Sequence, residues 1–261
     1  MNFNRENLGS SDLEKYFNTN DQRLIHKWNH YFDIYERHFS RYRKRPLVIL
    51  EIGIFHGGSL QMWKNYFGDE VEIYGVDINP KCKKLEEENI RIYIGSQSDR
   101  QFLRQLKSQI PPIDILIDDG GHGMRQQIVT FEELFDHVKA DGIYLCEDTH
   151  SSYMLEHGGG FKRRGSFIEY TKNFIDYIHA YHSQQRGLQP NFFTKNVDSV
   201  HYYDSIVVIE KKKREAPIDK KSGKESYPSN YHIQKTNLKR FVLTLINKIL
   251  RFFRLPGIFW S

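Results

Sequence analysis

LVILEIGIFHGGSLQMWKNYF (residues 47–67) joins an unbroken aliphatic run to a glycine-rich turn and then to a helical pattern. A strand with no polar alternation is buried on both faces, as in a parallel sheet covered by helices. Gly53, Gly57 and Gly58 would let backbone amides approach a ligand, and the start of the following helix, at Ser59, adds positive potential. The spacing G-x-x-x-G-G is not the dinucleotide fingerprint G-x-G-x-x-G, so the turn alone names no ligand.

Working outward, four more aliphatic runs follow: VEIYGVDI (71–78), IRIYIG (90–95), IDILIDD (113–119) and GIYLCED (142–148), with helical patterns such as TFEELFDHV (130–138) between them. Strands alternating with helices imply βαβ units. VDSVHYYD and SIVVIEKK (197–212) have almost nothing between them and form an antiparallel edge hairpin. The expected fold is α/β, a Rossmann-like doubly wound sheet, mostly parallel, with that hairpin at one edge. Before it, DQRLIHKWNHYFDIYERHFSRYRK (21–44) spaces Leu24, Trp28, Tyr31, Phe32, Tyr35 and Phe39 by three and four, which predicts one helix capped by Asp21 and ended by Pro46.

The segmentation is a helical cap over 1–45, a catalytic domain over 46–212, a polar linker over 213–235 and a basic amphipathic helix over 236–261. From Lys211 onward, 13 lysines and arginines face three acids, whereas the preceding 210 residues hold 25 basic and 30 acidic residues. The positive charge is not on the body, which argues against a nucleic-acid partner. The tail helix sets Leu238, Phe241, Val242, Leu245, Ile246, Ile249 and Phe253 against Arg240, Lys248, Arg251 and Arg254. Its charges exclude a span; it either lies on a membrane surface, where Phe259 and Trp260 suit the interface, or docks on a second copy of the chain. Two cysteines without metal spacing and a polar N-terminus fit a reducing, cytoplasmic setting.

Ligands of open α/β sheets gather at the carboxyl ends of the strands. The first end offers Glu51 and the glycines. The second ends in Asp77, spaced to bind the two hydroxyls of a ribose, and the third offers Ser96 and Gln97 where an adenine edge would lie. No P-loop lysine follows the glycines, so the ligand is an adenosine compound without a phosphate chain.

Here the chain resembles the class I S-adenosylmethionine-dependent methyltransferases. Within them it looks like the branch of macrocin- and mycinamicin-type sugar O-methyltransferases, rhamnosyl O-methyltransferases and the so-called cephalosporin hydroxylase proteins. The resemblance runs from Asp21 to Lys211 on HKWNHYFDIYERHF, LEIGIFHGGS, GVDI, IDDGGH, EDTHSSY and YYDSIVVIEK. It implies S-adenosylmethionine as cofactor, Asp119, Glu147 and Asp148 as ligands of a divalent metal, and His122 as base. Gly121 departs from the serine frequent there.

The residues point the same way, because adjacent acidic strand ends repel unless a cation joins them, and oxygen ligands favour a hard ion such as Mg²⁺. A metal-bound sugar hydroxyl would lose its proton to His122 and attack the sulfonium methyl. Plainer readings stand beside these. Asp118 is either a cofactor contact or a helix cap, His122 either a base or a turn residue, and GGGFKRR (158–164) either a lid or a solvated loop. The expected activity is O-methylation of a sugar or glycan. The alternatives are a phenolic or antibiotic-like acceptor, or a non-catalytic adenosyl-binding scaffold recruited to membranes.

Overall fold

The computed structural model describes residues 11–227 and 237–259. Linker residues 228–236 and Trp260 lie outside the described residues. The chain divides into two compact units, Met1–Pro217 and Ile218–Ser261.

The first unit is a single seven-stranded sheet. Its strands are β1 (Leu47–Ile52), β2 (Val71–Asp77), β3 (Ile90–Ile94), β4 (Ile113–Asp118), β5 (Val138–Cys146), β6 (Val197–Tyr203) and β7 (Ile206–Lys211), in the order β3-β2-β1-β4-β5-β7-β6. The first five pair in parallel, and β7 pairs antiparallel with both β5 and β6. This is the expected Rossmann-like mixed sheet. β1 and β4 are buried along their whole length, the physical reason for their unbroken aliphatic sequence.

The helices are α1 (Asp12–Thr19), α2 (Tyr31–Phe39), α3 (Gly58–Phe67), α4 (Arg100–Gln109), α5 (Met124–Leu134), α6 (Phe167–Ile178), the single-turn α7 (Phe192–Asn196) and, in the second unit, α8 (Asn237–Phe252). One layer packs α1, α2 and α3 on the sheet around the fully buried Trp63, Tyr35 and Phe39. The other gathers Leu103, Phe131, Phe135, Phe174 and Phe193 from the helices on the opposite face.

The single helix expected over 21–44 is not formed. α1 begins earlier, capped by the Ser11 hydroxyl, which accepts from the Glu14 amide at 3.1 Å. Residues 20–30 then run without regular helix, and α2 starts only at Tyr31. Asp21 accepts from the side chain of its neighbour Gln22 rather than from a helix amide, and Asn20 binds the Arg23 carbonyl. Leu24 and Trp28 are each more than half exposed, so the apolar spacing that suggested a helix does not mark a buried face there. Residues 20–30 instead cross the N-terminus of α3. A β-carbon on Gly58 would come within 2.4 Å of the Arg23 carbonyl, so only glycine admits that crossing.

Candidate active site

β1 and β4 are adjacent although α3, β2, β3 and α4 separate them in the sequence, and the sheet reverses its winding between them. The ladder runs on past their ends: the Gly53 amide donates to Val76, the Asp119 amide to Ile52 and the Glu147 amide to Asp118, at 2.7, 2.9 and 2.9 Å. Gly53, Asp119 and Glu147 are thereby set side by side. Gly53 has φ +85°, and a β-carbon there would meet the Asp119 carbonyl at 2.1 Å.

A cavity of about 380 Å³ opens at this switch point. Gly53, Ser59, Asp77, Ser96 and Gln97 line one part, and Asp119, His122 and Asp148 another. The Asp77 carboxylate accepts from the Ile54 and Phe55 amides at 3.2 and 3.1 Å, tying the glycine turn to the end of β2. Gln97 accepts from the Gly121 amide at 2.6 Å and donates to Asp118 at 2.9 Å.

Other expected site residues stand behind the wall. Asp118 is buried, receives Gln97 and the Tyr144 hydroxyl, and is pushed up to about 7 by burial. Glu51 is buried too, one oxygen taken by Ser59 and Trp63 and the other without a hydrogen bond. Burial pushes its pKa up to about 7. Gly57 and Gly58 shape the turn into α3.

The centre of the acidic cluster is Lys27, which lies in the segment expected to be helical and outside its apolar stripe. Its buried ammonium lies 2.6 Å from Asp119, 2.8 Å from Glu147 and 3.9 Å from Glu51. Burial by itself lowers a lysine pKa; Asp119, Glu147 and Glu51 outweigh it and hold Lys27 well above its ordinary value. Burial likewise pushes Asp119 up to about 7 and Glu147 up to about 8, with Lys27 opposing both rises. Tyr35 donates to Glu147 at 2.7 Å and Tyr31 to Asp148 at 2.6 Å. Helical spacing marks Tyr31 and Tyr35 as members of an aromatic stripe; their hydroxyls, which bind Asp148 and Glu147, are what that pattern conceals.

Ligand atoms of Asp119, His122 and Asp148 lie within 4.8 Å of one another. His122 Nε2 is 3.5 Å from Asp148 and 3.9 Å from Asp119, while its Nδ1 is buried without a hydrogen bond. His122 stands beside Asp119 and Asp148 in this converging set, and Glu147 lies next to it, bonded to Lys27 and Tyr35. Two carboxylates beside an under-coordinated imidazole suit a divalent cation by donor chemistry. One ammonium also leaves the acidic cluster short of positive charge.

A mostly parallel sheet with a glycine turn, a β2-terminal acid and an acidic cluster at its switch point defines a Rossmann-like cofactor-binding class. Residues 50–149 match a family model described as a methyltransferase domain. The chain is 35% identical over 195 residues to the 8-demethyl-8-(2-methoxy-alpha-L-rhamnosyl)-tetracenomycin-C 3'-O-methyltransferase of Streptomyces olivaceus, covering 70% of this chain and 50% of that one. It is 35% identical over 202 residues to the demethylmacrocin O-methyltransferase of Streptomyces fradiae, covering 72% and 51%. Among solved structures it is similar to the MycE methyltransferase of the mycinamycin pathway in complex with Mg, SAH and mycinamycin VI, with TM-score 0.68 and 31% identity over 78% of this chain and 53% of that one. The chain belongs, through this domain, to the methyltransferase family of those sugar O-methyltransferases. It spans about half the length of the curated relatives it matches.

Proposed function

We propose that this chain transfers a methyl group from S-adenosylmethionine to a hydroxyl of a sugar, in a glycan or glycosylated product, with the help of a divalent cation, Mg²⁺ in this reading. The observation that carries it is the meeting of Asp119, Asp148 and His122 in the same cavity as Gly53, Asp77 and Gln97. One part of the cavity suits an adenosine moiety; the other has the donors for a cation and a base.

In this reading Asp77 takes the ribose hydroxyls, Gly53 admits the cofactor against the backbone, and Ser96 and Gln97 border the base. Asp119 and Asp148 would hold the cation, with Glu147 as the third acid of the motif. When bound, such an ion lowers the pKa of a coordinated hydroxyl. His122 is placed to take the proton of an acceptor hydroxyl in the cavity, and the adjacent Asp148 would stabilise the imidazolium. Tyr31 orients Asp148, and Lys27 balances Glu147 and Asp119. The compartment proposed is the cytoplasm, with the basic C-terminal helix as a membrane contact.

Calorimetric titration with S-adenosylmethionine, with and without EDTA, combined with mass spectrometry of glycans from the producing cell, tests the reading. Cofactor binding together with an EDTA-sensitive mass gain of one methyl group supports it. Cofactor binding without methyl transfer to any glycan would leave an adenosyl-binding scaffold instead. Asp119→Asn is expected to lower turnover by at least about a hundredfold, the scale of a lost transition-state contact, while cofactor affinity holds. Full activity of that variant in EDTA would remove the metal from the reaction. Calorimetry of Mg²⁺ binding to Glu147→Gln decides whether Glu147 is a ligand.

A further inference from the structure

The C-terminal unit carries an apolar surface that the other described residues of that unit do not cover. In α8, Phe241, Leu245, Ile249 and Phe252 fall on one side of the helix, with Val242, Ile246 and Phe253 next to them. Phe241 is 67% exposed and Phe252 81%. Asn247 and Arg251 occupy the opposite arc, and Lys248 stands at the edge of the apolar side next to Phe241.

Past the helix the chain turns back on itself. The Leu255 amide donates to the Leu250 carbonyl at 2.9 Å. Asn247 clamps Ile258 twice, its amide nitrogen donating to the Ile258 carbonyl at 2.8 Å and its oxygen accepting from the Ile258 amide at 2.7 Å. Ile258 is thereby held on the Asn247 side of the helix, away from the apolar face, and Leu255 and Phe259 remain exposed.

Charge selects what covers this face. Beyond Glu225 the chain has six lysines and arginines and no acid. No described helix is long and apolar enough to cross a membrane. A wide apolar arc with a basic flank is the pattern of a helix lying in the plane of an anionic interface.

We propose that α8 forms an in-plane anchor selective for anionic lipid. The apolar face enters the boundary between headgroups and acyl chains, and Lys248, at its edge, and Arg254 meet lipid phosphates. The inference rests on the membrane contact placed in the functional reading and names its lipid class and contacting residues; it is independent of methyl transfer.

The test uses the full chain, pelleted with vesicles of phosphatidylcholine alone or of phosphatidylcholine with phosphatidylglycerol, and S-adenosylmethionine titration of the same preparations. Expected is co-sedimentation with the anionic vesicles, reversed by high salt, and little with neutral ones. Phe252→Ser with Phe253→Ser abolishes it. Lys248→Gln with Arg254→Gln lowers the partition coefficient about thirtyfold, from roughly fivefold per basic residue neutralised. Cofactor affinity stays unchanged in both variants, so a failed anchor and a failed enzymatic reading give different results. Protein left in the supernatant with both vesicles overturns the proposal, as does equal binding to both. So does a dimer, seen by light scattering, that the phenylalanine variant dissolves, since the face would then belong to a second copy.

Discussion

Lys27 places one ammonium among Asp119, Glu147 and Glu51. Removing one partner of a buried ionic group leaves the others uncompensated and costs about 3–5 kcal/mol. Lys27→Met is therefore expected to lose about that much stability in urea unfolding in EDTA. Added Mg²⁺ should raise its melting temperature more than that of the parent, because the acids then have only the ion to share. An unfolding midpoint equal to the parent's would show that Lys27 does not hold the cluster. At the other end of the cavity, Asp77 binds the glycine-turn amides of Ile54 and Phe55. Asp77→Ala is expected to weaken S-adenosylmethionine binding at least about tenfold, the scale of charge-assisted hydrogen bonds lost, and an unchanged dissociation constant would remove it from the ribose site.

Among elements, α4 and α5 are joined by Glu133, whose carboxylate receives Arg104 at 2.8 Å and Arg100 at 2.5 Å. The hydrogen bonds from Arg104, then Arg100, hold its pKa down to about 2, against an ordinary 4.5. A depressed carboxylate contributes stability above its unfolded value and loses it as pH falls towards the folded one. Glu133→Gln should therefore be less stable than the parent at pH 7. The gap should close progressively between about pH 4.5 and about pH 2, followed by urea midpoints; a gap independent of pH would refute the linkage. The strands were legible because burial on both faces removes polar alternation, as in β1 and β4. Residues 20–30 were not. Leu24, Trp28 and Tyr31 keep helical spacing, but Lys27 is drawn to carboxylates more than ninety residues on in Asp119 and Glu147, and periodicity carries no information about such a partner.

For the whole molecule, the compact unit ending at Pro217 contains every strand of the described residues and the whole cavity. A chain ending at Pro217 should retain cofactor affinity and a melting temperature within a few degrees of the full chain, the range of peripheral changes below about 1 kcal/mol. Loss of cooperative melting would show that residues 218–261 support the fold. The sequence by itself determined the succession of strands from β1 onward, the edge hairpin and the acids at the strand ends, since all follow from local periodicity and chain connectivity. Only the tertiary structure decided which acids face the cavity and which stand behind its wall. Asp119 and Asp148 meet His122, whereas Glu147 turns to Lys27 and Tyr35. That division depends on the path of residues 20–30 across α3 and on desolvation at the switch point, which arise when distant segments pack.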